Sequence, residues 1–189
     1  MWGAARRAAP APVTEVKQLS VEDLHIRRAE PDDWPALYEM FSSPNVFPGT
    51  LQLPYPSRET WRRRLAEPGE GDYYLVAEVG GEVVGMISVH TFPNRPRRRH
   101  AGAVGISVRD EWQGRGVGAA LMRAGIDLAD NWLNLTRLEL EVYTDNEAAV
   151  RLYERFGFER EGTLRQYALR DGRLVDSYAM ARLRPGAAA

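Results

Sequence analysis

The 189 residues contain no cysteine. That removes disulfide frameworks, thiolate metal ligands and cysteine nucleophiles from the chemistry available. It also fits a reducing, cytoplasmic setting. Neither sign of charge is in excess: 25 Lys and Arg against 26 Asp and Glu leave a formal net charge of −1. Such a chain carries no global basic field to hold nucleic acid or an anionic membrane. No apolar run approaches the ~20 residues that a membrane span needs. Near the start, Pro10, Pro12, Glu15 and Lys17 interrupt every candidate for the apolar part of a signal peptide. No Gly-Lys-Ser/Thr triplet occurs, so a nucleotide P-loop is excluded.

What is present reads as one α/β domain over residues 23–184. Residues 1–22 are expected to be a flexible extension, and residues 185–189 a tail. Leu24–Arg28 reads as a first strand. Pro31, with Asp32 and Asp33 behind it, opens a helix through about Ser42. Five prolines and glycines between 43 and 56 make a loop, and a second helix runs from Ser57 past Leu65 to Pro68–Gly69. Tyr73–Val79 and Glu82–His90 are strands joined at Gly80–Gly81, where glycine accepts the positive φ of a hairpin turn. Ala103–Val108 is a third strand candidate after the basic loop Arg95–His100. Val117, Leu121, Ala124, Leu128 and Trp132 follow a helical period. Strand Arg137–Tyr143 comes next, then a helix capped by Asp145 or Asn146 that buries Ala149, Leu152, Tyr153 and Phe156 and stops at Gly157. A hairpin, Leu164–Leu169 with Arg173–Leu183, closes the domain.

The segment Gln113-Gly114-Arg115-Gly116-Val117-Gly118 is the strongest chemical signal. Alternate glycines at a helix start leave bare N–H groups pointing outward, the helix dipole adds positive charge, and missing side chains permit close approach. That combination suits a phosphate-bearing ligand. The competing reading is a turn that only packs closely on a strand. A dinucleotide fold is a rival, because Gly114 to Ala119 satisfies G-x-G-x-x-A. Its topology fails: the segment follows an antiparallel hairpin, and too little chain follows it for the remaining parallel strands.

These residues resemble the acetyl-CoA motif of the GNAT family of N-acetyltransferases. The resemblance continues through Leu140-Glu141-Val142, Asn146 and Leu152-Tyr153-Glu154-Arg155-Phe156-Gly157-Phe158, and covers about Leu24 to Leu183. Thr50–Pro54, Arg95–Arg98, Asp130–Leu133 and Tyr167–Arg170 are similar to a bacterial branch that acetylates L-amino acids of the phenylalanine and methionine type. The family implies a mixed, mostly antiparallel sheet with splayed central strands and helices on its faces. It implies acetyl-CoA as cosubstrate, no metal, and direct attack by an amine without an acyl-enzyme. By the resemblance, Ile106, Ser107 and Val108 pair with the pantetheine arm, and the Val108 amide donates to the thioester oxygen. Gln113, Gly114, Arg115, Gly116, Val117 and Gly118 hold the diphosphate, and Asn146 contacts the pantetheine or pins the splayed strands; its plainer reading is a helix cap. Tyr153 protonates the departing thiolate; on periodicity alone it is a core residue.

The base is the open position. Glu141 alternates away from Leu140 and Val142 and matches a catalytic glutamate of some peptide acetyltransferases in the family. Asp176, His100 and a water chain are the alternatives. Phe47, Leu51, Leu53 and Tyr55 are expected to wall the acceptor pocket, and Arg58, Arg98 or Arg165 to meet a substrate carboxylate. Arg95, Arg97, Arg98 and Arg99 lack interleaved aromatics and read as a solvated loop. Trp34, Trp61, Trp112 and Trp132 are taken as core or interface. The partners expected are acetyl-CoA and a small amine, with no nucleic acid and no membrane; a homodimer is retained as an expectation. Two other functions stay open: acetylation of protein N-termini, and a non-catalytic acyl-CoA sensor on the same fold.

Overall fold

β-Branched and aromatic residues fill the segments that form strands, and the computed structural model describes residues 23–186. The expected extension at 1–22 and the last residues of the tail lie outside that range. In chain order the elements are β1 (Leu24–Arg28), α1 (Trp34–Ser42), α2 (Arg58–Ala66), β2 (Asp72–Val79), β3 (Glu82–Thr91) and β4 (Ala101–Val108). They continue with α3 (Val117–Asp127), β5 (Arg137–Tyr143), α4 (Glu147–Arg155), β6 (Glu159–Arg170) and β7 (Arg173–Leu183). The seven strands form one sheet in the order β1-β2-β3-β4-β5-β7-β6. Every neighbouring pair is antiparallel except β4 with β5. The architecture is the mixed α/β sheet that the sequence implied.

Period-two alternation divides the apolar residues between two faces. On one face Leu37, Met40, Phe41, Trp61 and Leu65 of α1 and α2 pack on Val76, Val83 and Met86. On the other, Val117, Leu121 and Met122 of α3 and Val150 and Tyr153 of α4 pack with Ile87, Val89, Leu138, Leu140 and Phe158. An irregularity between Ala77 and Glu78 sends Val83 to the first core and Val84 to the second. Full burial of each Leu, Ile or Phe here is worth about 1.5–3 kcal/mol. The approach of α3 to β3 depends on Gly125, where a Cβ would stand 2.5 Å from Ile87 Cδ1.

Four local readings are corrected. Pro31–Asp33 form a 3-10 turn, and the α-helix starts at Trp34. After α3 the chain widens into a π-helical turn, Leu128–Trp132. The wider turn throws Trp132 off the apolar stripe, and it is 76% exposed. On α4 the buried residues are Val150 and Tyr153, while Ala149, Leu152 and Phe156 are half-buried. Finally, β6 begins at Glu159, ahead of the expected Leu164. Its charged start hides the strand in the sequence, because an edge strand facing water carries charge.

The centre of the sheet is where it opens. β4 and β5 pair only from Ala101 with Arg137 to Ala103 with Glu139. Beyond that point β4 stays on β3 as far as Val108, and β5 stays on β7 as far as Tyr143. The edge of β4 from Val104 to Val108 that faces β5 is left without a strand partner. Backbone N–H and C=O groups require partners, so this edge can receive an extended ligand as an added strand.

Candidate active site

Two cavities meet at the splay. The first, about 730 Å³, runs from Ile106, Ser107 and Val108 past Gln113, Gly114, Gly116 and Gly118 to Asn146, Ala149 and Arg155. Gly114 and Gly116 have φ of 71° and 89°, a region that glycine enters without strain. A Cβ built on either meets nothing within 4 Å, so the turn is bare toward the groove. The first N–H groups of α3 lack intrahelical partners and converge there. Arg151 and Arg155, one helical turn apart on α4, line the same groove and add positive charge. A bare glycine turn at a helix start, two arginines and an open strand edge together suit a diphosphate on a long flexible arm. The residues therefore fit acetyl-CoA.

The second cavity, about 630 Å³, lies on the α1–α2 side of the splay. Gly49, Thr50, Ile106 and Ser107 line both cavities. Phe41 and Met86 give it apolar wall, Gly105 a floor without a side chain, and Arg64 a cation on one side. Arg64 lies 4.6 Å over the Trp61 ring and makes no ion pair with the described residues. Across the space are Glu141, Tyr143, Tyr167 and Ser177. Glu139, one pleat away on β5, is held by Arg98 at 2.5 Å and Arg137 at 3.2 Å. Glu141 has no such partner among the described residues. Burial pushes the Tyr74 phenol up to about 12, helped by the Asp72 charge. Burial also raises Tyr143, and it raises Tyr167 together with the charges of Glu141 and Tyr143. All three phenols remain proton donors at neutral pH.

Tyr153 lines the second cavity beside Ile106 and Ser107, where the two spaces join. It is 6% exposed, its ring centroid lies 5.9 Å from that of Phe158, and burial pushes its phenol up to about 12. Asn146 caps α4 by accepting from Ala149 N at 3.2 Å, and it lines the groove as well. Gln113 folds back, its Nε2 donating to Val108 O at 3.1 Å and Asp110 Oδ1 at 3.2 Å.

Two residues of the turn leave the groove wall. Val117 is fully buried against the sheet, and Arg115 stacks 5.2 Å over the Trp112 ring. Asp176 and His100 do not line the acceptor cavity: Asp176 accepts from Gln166 N at 2.7 Å, and His100 is exposed on the loop before β4. Arg58 lies over Tyr38, Arg98 pairs with Glu139, and Arg165 lines a separate recess in the β6–β7 hairpin. Of the loop residues, Leu51 lines the acceptor cavity, while Leu53 and Tyr55 are 81% and 97% exposed. Sequence reasoning missed Arg64, Asp72, His90, Arg151 and Arg155. The i, i+4 spacing of Arg151 and Arg155 on one helix face was a usable signal. Arg64, Asp72 and His90 come together only in three dimensions.

An open strand edge beside a helix start that suits an anion, joined to a second cavity with a buried phenol at the junction, fits an enzyme that transfers a group from a phosphate-bearing donor to an acceptor. Residues 34–158 match the Acetyltransferase (GNAT) family. The L-amino acid N-acetyltransferase AaaT of Escherichia coli (strain K12) is 44% identical over 164 residues, which is 87% of this chain and 100% of that protein. Two solved structures share the fold. One is a ribosomal-protein-alanine N-acetyltransferase from Brucella melitensis: TM-score 0.76, 28% identity, 85% of this chain and 99% of that one. The other is a GNAT superfamily phosphinothricin acetyltransferase from Sinorhizobium meliloti in complex with AcCoA: TM-score 0.77, 25% identity, 88% and 92% coverage. The chain belongs to the GNAT family and is an acetyl-CoA-dependent N-acetyltransferase.

Proposed function

We propose that this enzyme acetylates the α-amine of a free L-amino acid with an apolar side chain. The observation that carries this reading is the composition of the second cavity: the Arg64 cation on one wall, apolar Phe41 and Met86 on another, and Glu141 opposite, without an ion-pair partner among the described residues. An α-amino acid presents a carboxylate, an apolar side chain and an ammonium in a matching arrangement. A planar guanidinium held on an indole can take a carboxylate with two parallel hydrogen bonds. Likeness to the L-amino acid N-acetyltransferase supports the same acceptor class.

In this reading the open edge at Ile106–Val108 receives the pantetheine arm, and the Val108 amide donates to the thioester oxygen, where negative charge develops. The amides of Gly114–Gly118, with Gln113 on their flank, hold the diphosphate, and Asn146 fixes the start of α4 against the arm. Glu141 draws the acceptor ammonium inward. The Tyr153 phenol delivers a proton to the sulfur as it leaves. Bound acetyl-CoA supplies an activated acetyl thioester.

The test is an acceptor panel read by mass spectrometry, with each amino acid paired with its carboxamide. Removing the carboxylate is expected to lower kcat/KM roughly ten- to a hundredfold, the worth of hydrogen bonds to a charged group. Arg64→Gln should erase most of that difference. Equal or better rates on peptides with free N-termini would replace this reading with acetylation of protein N-termini. Likeness to the ribosomal-protein-alanine enzyme is the observation in favour of that alternative.

A further inference from the structure

The acceptor cavity also holds a pair that the roles above leave unused. Asp72 and His90 stand directly opposite each other on β2 and β3. Asp72 Oδ1 lies 2.7 Å from His90 Nδ1. Tyr74 Oη donates to Asp72 Oδ2 at 3.3 Å, and the Tyr74 ring meets the imidazole edge-on with centroids 5.8 Å apart. A carboxylate only accepts, so this contact keeps the proton of a neutral imidazole on Nδ1 and leaves a lone pair on Nε2. No described protein group bonds Nε2, and His90 lines the cavity. Orientation by a carboxylate, a fixed tautomer and a free nitrogen on a residue that lines the cavity together suit a general base.

Resting on the assignment of this cavity to the acceptor, we propose that His90, oriented by Asp72, removes the proton from the acceptor ammonium. Aliphatic ammonium groups are mostly protonated at neutral pH, and an efficient base titrates near the working pH. His90 is opposite Ala103, the last β4 residue paired with β5. Ile106, where the two cavities join, lies three residues on, roughly 10 Å along the strand. The Val108 amide lies two residues further still, so direct transfer is too long and the proton reaches Nε2 through a chain of cavity waters. The ammonium N–H bond breaks, and the freed lone pair forms the N–C bond while the C–S bond breaks. The sulfur leaves with the Tyr153 proton. The second proton lost by nitrogen restores the phenol through cavity water, and the first passes from His90 to solvent.

The charged and titratable groups that share the cavity with His90 are Asp72 and Tyr74 on β2, Arg64 on α2, Glu141 and Tyr143 on β5, Tyr153 on α4 and Tyr167 on β6. On the β4 side its neighbour is Ala103, with Glu139 beyond it already paired to Arg98.

The experiment compares the pH profile of kcat for the wild type, His90→Gln, Asp72→Asn and Glu141→Gln, using the best acceptor of the panel. Turnover of amino acids by the wild type tests the acceptor assignment; the differences among variants test this proposal. His90→Gln is expected to lower kcat roughly 10²-fold or more and to abolish the acid limb. Asp72→Asn should also lower kcat, because the carboxylate that holds the imidazole in its orientation and tautomer is gone. Affinity for acetyl-CoA, measured by calorimetry, should be unchanged in both and shows that the fold is intact. An acid limb that survives His90→Gln, or disappears in Glu141→Gln instead, overturns the proposal. So does a His90→Gln defect confined to KM, since that would make the pair a binding element.

Discussion

At the scale of single residues, Tyr153 joins a packing role to a chemical one. Its ring lies in the core cluster with Phe158, and its phenol is pushed up to about 12 by burial. A donor with so high a pKa keeps its proton across the working range. Ionisation of Tyr153 should therefore add no basic limb to kcat below about 12. The same shift bears on stability. The folded pKa is raised above the ~10 of an unfolded tyrosine. Its contribution is therefore complete below ~10 and is lost as pH climbs toward about 12. Tyr153→Phe keeps the ring and removes the proton. It should lower kcat roughly 10²–10⁴-fold where chemistry limits the rate, with little change in acetyl-CoA binding. Melting temperatures between pH ~10 and ~12 should fall less steeply in the variant than in the wild type. Full turnover under chemistry-limited conditions would reduce Tyr153 to a packing residue.

At the scale of elements, the glycine turn ahead of α3 shapes the donor groove. Gly116 sits at φ 89° with open space where a Cβ would stand. Aspartate and asparagine tolerate that backbone region similarly, so comparing Gly116→Asp with Gly116→Asn isolates the charge. The aspartate variant should bind acetyl-CoA at least about tenfold more weakly than the asparagine variant, ~1.4 kcal/mol, by calorimetry. Equal affinities would mean that the diphosphate lies elsewhere. This turn, the Gly80–Gly81 hairpin and the strand Arg137–Tyr143 were legible in the sequence because each is specified by neighbours in the chain. The groove residues on β4, on the glycine turn and at the start of α4 could be named from the sequence, whereas Arg151 and Arg155 further along α4 were not. The acceptor side was not legible. Arg64, Asp72 and His90 belong to three elements, and no spacing rule links a residue of α2 to the ends of β2 and β3. The start of β6 was hidden for another reason: an edge strand can be charged throughout and still pair.

At the scale of the molecule, one loop closes both cavities. Residues 43–57 connect α1 to α2, and Gly49 and Thr50 line the donor groove and the acceptor cavity alike. The loop is tied down at two places. Asp110 Oδ2 accepts from Ser43 Oγ and Asn45 Nδ2, each at 2.8 Å. Tyr143 Oη donates to Thr50 O at 3.2 Å. Asp110 also accepts from Gln113 Nε2 through Oδ1, so one carboxylate joins the loop to the glycine turn. Hydrogen bonds to a charged acceptor are worth about 1.5–3 kcal/mol each when buried, and less when partly exposed as here. Asp110→Ala removes all three at once; Asp110 itself lines neither cavity, whereas its partners Asn45 and Gln113 line the donor groove. The loop should then sample more conformations, and its ordering must be restored whenever either substrate binds. The expected result is a parallel rise in KM for acetyl-CoA and for the amine, about tenfold each, or ~1.4 kcal/mol. At saturation with both substrates, kcat should change less than either KM, because the reacting groups keep their positions. Tyr143→Phe releases the other end of the loop and should act mainly on the amine, whose cavity Tyr143 lines. If Asp110→Ala raises only the acetyl-CoA KM, the loop serves the donor groove alone, and the acceptor cavity is closed by other elements.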